Sequence, residues 1–201
     1  MLRDPGRDRR RRVRSCIGLA IACIFTTVLI GSFDAEAGET PRLEYGAWKV
    51  ALSAPPNWRV DRASPYPNIL VALVRSRPQG KMLLSAERLP ASEYDDAGRT
   101  SEPPSLRYCR ATAKILTAVG FTVSEPRPHS SGAFWIDYTD GKAYLRQAFV
   151  VADYRGFSLV LSAHGEKERS AQLRAFDATL RSLRALPSSD VPVEAREHNA
   201  Q

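Results

Sequence analysis

The sequence predicts an α+β domain whose largely antiparallel sheet has helices packed against it, preceded by an N-terminal apolar signal or anchor helix. Three observations predict this. Apolar residues fall in an order of strands, helix, strands, helix. Turn signals such as Asp140-Gly141 join strand to strand directly, where a parallel sheet needs long crossovers. Two segments carry apolar residues at helical spacing on one side only, and such stripes need a sheet face to bury them, which argues against an all-β sandwich.

The chain begins with seven arginines in its first fourteen residues (Arg3, Arg7, Arg9, Arg10, Arg11, Arg12 and Arg14) and an uncharged stretch over 16–33. This is a basic region followed by an apolar one, the arrangement of a secretory signal. Ala35-Glu36-Ala37 places small residues three and one before a cut ahead of Gly38. With 18 uncharged residues the stretch also reaches the lower edge of what spans a bilayer, so a retained anchor stands beside a cleaved signal. In either case the arginines stay cytoplasmic and the remainder is exported, to periplasm or medium if cleaved and on the outer side of the cytoplasmic membrane if not. Ala20-Ile21-Ala22-Cys23 lacks the leucine of a lipoprotein processing site, and the paired arginines lack the apolar residues of a twin-arginine signal.

Removing 1–37 lowers Lys+Arg from 29 to 22 and Asp+Glu from 22 to 18, so the net charge falls from +7 to +4. The remaining charges are scattered without aromatic interleaving, which gives no nucleic-acid surface. Cys109 is the one cysteine left, so no intramolecular disulfide forms, and a domain of roughly 150 residues holds together by burial alone.

Residues 38–45 read as a polar spacer, 46–186 as a single domain and 187–201 as a disordered tail without apolar period. Strands are expected over 48–53, around 58–60, over 69–75 and over 82–89. The run Ile69-Leu70-Val71-Ala72-Leu73-Val74 is apolar on both faces and predicts a central strand, while Met82, Leu84 and Ala86 alternate with Leu83, Ser85 and Glu87 as in a strand with one wetter face. A polar loop over 90–104 leads into a helix over 105–119 with a stripe of Leu106, Cys109, Ala113, Leu116 and Val119, stopped by Gly120. Strands follow over 121–124, 134–139, 143–152 and 157–163, with a turn at Tyr154-Arg155-Gly156. A last helix over 167–183 buries Leu173, Phe176, Leu180 and Leu183.

This order, the segment Ala54-Pro55-Pro56-Asn57-Trp58 and the closing Phe176-Asp177-Ala178-Thr179-Leu180-Arg181-Ser182-Leu183 helix resemble the PsbP-like superfamily. Its members include a photosystem II extrinsic protein, a Ran-binding nuclear-import cofactor and bacterial envelope proteins such as DcrB. The resemblance covers 46–186 and implies an α/β/α sandwich used mostly for binding or assembly. It transfers no binding motif residue by residue, and a shared fold does not establish a shared function. Trp58 is expected to plug one end of the sheet.

The sharpest chemical pairing is a Cys109/His164 dyad, since a thiolate needs an adjacent base. Against it, Cys109 lies on an apolar helical stripe, where a small buried hydrophobe is the ordinary role. His129, His164 and His198 are too widely separated for a metal site, and no cofactor or catalytic residue is expected. Gly141, Gly156 and Gly165 serve separate turns and make no phosphate loop. The carboxylates Glu93, Asp95, Asp96 and Glu102 lack the order of a calcium-binding loop. What remains is the long 90–104 loop with the basic helix face behind it: Glu93, Asp95, Asp96, Arg107, Arg110 and Lys114 form the candidate interaction surface. The expectation is a non-catalytic exported cell-envelope protein that binds another protein or an envelope component. It takes no nucleic acid and meets the membrane only through 16–33 if uncleaved. An exported hydrolase or thiol enzyme is the alternative.

Overall fold

The computed structural model describes residues 41–61, 66–77, 79–94, 101–163 and 166–186. The 1–37 segment, the 187–201 tail, Asp95, Asp96, His164, Gly165 and His198 lie outside the described residues, so the export signal and the dyad are not placed. Among the described residues no helix is long and apolar enough to cross a membrane.

In chain order the strands are β1 (Arg42–Tyr45), β2 (Val50–Ser53), β3 (Arg59–Asp61), β4 (Ile69–Ser76), β5 (Gln79–Arg88), β6 (Thr122–Val123), β7 (Arg127–Pro128), β8 (Phe134–Thr139), β9 (Tyr144–Ala152), β10 (Arg155–Ala163) and β11 (Arg184–Ala185). The helices are α1 (Ala91–Tyr94), α2 (Pro104–Ala118) and α3 (Glu166–Ser182). The larger sheet runs β3-β4-β5-β10-β9-β8-β6, with β7 also on β8, and a small sheet runs β1-β2-β11. Every pairing is antiparallel. The α+β class and the flanking helices are as the sequence predicts.

The central strand is β10, all nine of whose residues are buried, and not β4, which lies next to the edge strand β3. Continuous apolarity misled because β10 places Ser158 and Ser162 between its apolar residues. These hydroxyls are small, and Ser158 is satisfied in place by a bond from Gln147 Nε2 at 2.6 Å. A central strand tolerates a polar group that finds a partner.

Register divides the sheet into two faces. Phe157, Leu159 and Leu161 of β10 lie beside Ala86, Leu84 and Met82 of β5, and this face joins Phe176 and Leu180 of α3, and Leu183 just after it, in one core with Leu43, Val50 and Leu52 of the small sheet. On the opposite face Phe149 meets the ring of Tyr108 from α2 at 5.1 Å, edge on. The described residues are therefore helix, sheet, helix in cross-section, with the small sheet beside α3.

Several expectations are corrected. Residues 42–45 are not spacer but β1, because Leu43 is buried opposite Leu52. The strand expected over 48–53 begins at Val50, since Gly46–Trp48 forms a 3-10 turn ended by Lys49 in the left-handed region. The turn closing β9 and β10 is Asp153-Tyr154, both at positive φ, while Arg155 and Gly156 already belong to β10. A two-residue hairpin loop needs that geometry because its twist matches the flanking strands. The α2 stripe is rotated: Ser105, Tyr108, Cys109, Thr112 and Leu116 are buried, Leu106 and Ala113 are half-buried, and Val119 is 59% exposed. Polar members can face the sheet because they are paired there, Ser105 Oγ accepting from Val151 N at 3.0 Å and Tyr108 donating to Glu87.

The segment ending β2 behaves as expected. Trp58 is 6% exposed in the core, and a methyl built on Gly80 would lie 2.9 Å from its ring, so Gly80 makes room for it. The closing helix is tied to β2 by Ser182 Oγ, which accepts from Ser53 N at 2.9 Å, and the chain continues to Leu186, whose N–H bonds Lys49 O at 2.7 Å.

Candidate interaction surface

The residues selected from sequence are only partly assembled. Glu93 lies in α1, and Asp95 and Asp96 are outside the described residues. Arg107, half-buried, holds its guanidinium 5.7 Å from the centre of the Tyr94 ring. Arg110 pairs with Glu102, and Lys114 stands exposed on α2. Two of the three basic residues are thus engaged locally, with Tyr94 and Glu102.

Cys109 is fully buried, and burial pushes its thiol up to about 12, with nearby Arg110 pulling weakly the other way. A thiol held there supplies no thiolate near neutral pH. Tyr108 is likewise raised well above its ordinary range, first by burial and then by the Glu87 carboxylate it donates to. Among the described residues no group of His, Cys, Asp and Glu is placed to hold a metal ion.

A different set of side chains converges on the other face. Beyond α3, which lies along β10 and β2, the part of the sheet formed by β8 and β9 carries Trp135, Asp137, Tyr144 and Arg146, all half-buried. Register puts them on one side, Asp137 opposite Arg146 and Thr139 opposite Tyr144. Arg146 donates to both oxygens of Asp137, at 2.7 and 3.0 Å, and Tyr144 donates to the same carboxylate at 2.6 Å. The Arg146 guanidinium also lies 3.9 Å from the centre of the Trp135 ring. Burial opposes its charge, but the bonds to Asp137 outweigh burial and raise its pKa. Burial, then Asp137, push the Tyr144 phenol up to about 12.

Two further arginines close the ends of this row. Arg127 of β7 stacks on Trp135 at 5.3 Å, and Arg169 of α3 stacks on Tyr144 at 4.3 Å. The sequence reading missed the set because its six members come from four elements and become neighbours only through strand register. A signal was present in Trp135, Asp137 and Thr139, which alternate with Ile136 and Tyr138 and mark a strand with one wetter, aromatic face.

No family model matches the chain, and no curated protein matches it. Solved structures do. The Ran-binding protein Mog1p of Saccharomyces cerevisiae superposes with a TM-score of 0.51 at 9% identity, covering 75% of this chain and 97% of that one. A Mog1 point mutant gives 0.51 at 9% identity, over 76% and 98%. Cyanobacterial PsbP from Synechocystis sp. PCC 6803 aligns at 13% identity and a TM-score of 0.49, over 78% and 98%.

Proposed function

We propose that this chain, whose fold is like that of Mog1p, is a non-catalytic binding module, exported from the cytoplasm, that holds a protein partner on the open half of its sheet. The observation that carries the reading is the row of Trp135, Tyr144 and Arg146 flanked by Arg127 and Arg169. Trp, Tyr and Arg are the residue types in which interface energy concentrates. Here they are already fixed by stacking and by Asp137, which lowers the ordering cost of binding. Mog1p binds a protein, Ran, on the same fold, and this makes a protein partner a natural use of the architecture without naming one. The buried, strongly raised Cys109 thiol argues against the thiol-enzyme alternative.

Export is supported by the arginine cluster and the uncharged 16–33 stretch. N-terminal sequencing of the envelope fraction tests it: a chain starting near Gly38 supports a cleaved signal, one retaining Arg9 to Arg12 a membrane anchor, and a cytoplasmic chain removes the export reading. For the binding face, a photoreactive residue in place of exposed Lys142, in the β8–β9 loop, is expected to give a discrete crosslinked protein in cells. That product should be lost in Trp135→Ala, with folding checked by circular dichroism, and in Arg127→Glu, which leaves the core untouched. A product insensitive to both variants, or none at all, overturns the reading.

A further inference from the structure

We propose that this row is a docking surface for an extended, acidic protein segment, with Arg127 and Arg169 each taking a carboxylate on either side of the Arg146–Asp137 pair. The inference rests on the protein-binding reading above and adds the chemistry of the partner. Three guanidinium groups face one carboxylate. Asp137 already accepts two bonds from Arg146 and one from Tyr144, so its charge is balanced within the row. Among the described residues neither Arg127 nor Arg169 forms an ion pair, and the buried Nε of Arg169 has no hydrogen-bond partner. Among the six residues of the row the surplus is two positive charges, one at each end.

Stacking leaves each of these guanidinium groups oriented but not used. A ring against the guanidinium holds the group, and its terminal N–H groups suit a carboxylate gripped by two parallel bonds. Spacing gives the length of the partner's motif. Trp135 lies four residues from Thr139, the cross-strand partner of Tyr144, so at a strand rise of about 3.3 Å the two stacked pairs are on the order of 13 Å apart. An extended segment presents every second side chain to one surface, so its residues four apart span the same distance. The expected motif is acid, three residues, acid, with a neutral side chain over the self-compensated centre. A polynucleotide or an anionic membrane offers charge continuously, whereas this row reads cation, neutral pair, cation.

The test uses the full chain and a fluorescein-labelled Gly/Ser peptide carrying two glutamates four residues apart, followed by anisotropy at low salt. The expected result is saturable binding, weaker by about tenfold or more when both glutamates are glutamine, and weaker by a similar factor in the Arg127→Gln/Arg169→Gln double variant. Lysine at both positions should recover only part of the loss, because it cannot make the bidentate contact. Absence of peptide binding, equal binding of the glutamine peptide, or a double variant that binds as well as the parent overturns the proposal. So does easier displacement of the peptide by oligo(dT) or by soluble dihexanoyl phosphatidylglycerol than by unlabelled peptide, which would assign the face to a nucleic acid or a lipid headgroup. If the peptide arm fails while the cellular crosslink still depends on Trp135, the partner chemistry is wrong and the binding face stands. If that crosslink is insensitive to Trp135→Ala and Arg127→Glu, both fall.

Discussion

Cys109 shows how a residue type that invites catalytic readings is used for packing. Its neighbours on the buried side of α2 are Ser105, Tyr108, Thr112 and Leu116, and its thiol is the smallest sulfur group that fills that layer. Native protein should therefore react with a bulky thiol reagent only as fast as it opens, and Cys109→Ser should cost about 1–3 kcal/mol in a denaturant melt if the hydroxyl finds no partner. Rapid stoichiometric labelling of the folded chain would contradict this. Gly156 is a second residue set by close approach. A methyl built on it would lie 2.9 Å from Cε1 of Tyr108 and 3.1 Å from Cδ1 of Leu89. Tyr108 is held by Glu87 and cannot swing away freely, so Gly156→Ala should destabilise by about 1–3 kcal/mol; an unchanged melt would show that α2 sits more loosely on the sheet.

At the scale of elements, the closing helix illustrates which signals survive folding. Phe176, Leu180 and Leu183 are buried as their spacing predicts, and Leu173 is half-buried at the end of the stripe. Gln172 and Thr179 are buried with them, which spacing alone did not indicate. Thr179 bonds the carbonyl of Ala175 within the helix and Gln172 reaches the carbonyl of Gln79, so both bury a satisfied donor rather than a bare one. Phe176→Ala should cost about 3–5 kcal/mol, a large share of the roughly 5–15 kcal/mol that holds a typical domain. Deleting 187–201 should cost almost nothing, while deleting 184–201 should cost measurably more, because it removes β11 and the Leu186 bond to Lys49. Paired denaturant melts decide it: a tail deletion as damaging as Phe176→Ala would move the domain boundary past Leu186.

Over the whole molecule, what the sequence made legible was what depends on neighbours in the chain. Alternation in β5, the stripe of α3 and the Gly120 stop after α2 are local signals, and each is where it was expected. What stayed hidden depends on pairing between distant segments. The burial of β10 comes from β5 and β9 on its two sides, the rotation of α2 from Glu87 and Val151, and the arginine row from β7, β8, β9 and α3.

The same long-range burial makes a whole-molecule prediction about pH. Cys109 is pushed from 9.0 to about 12 and Tyr144 from 10.0 to about 12, and burial also raises Tyr108 and Tyr138. Each of these groups keeps its proton in the folded chain at a pH where the unfolded chain releases it. Between the unfolded and folded values the native state binds more protons, so stability must fall as pH rises. The contribution is fully present below about pH 9, where neither state has lost the protons, and is progressively lost from there towards about 12. Denaturant melts should therefore show little change attributable to these groups from pH 7 to 8.5 and a steepening loss above it. Cys109→Ala should flatten the first part of that limb, around the ordinary thiol range, while Tyr138→Phe should flatten only the part above the ordinary phenol range. A limb that keeps its full slope from pH 9 to 10 in Cys109→Ala would show that the thiol is not held in a water-excluded layer between α2 and the sheet.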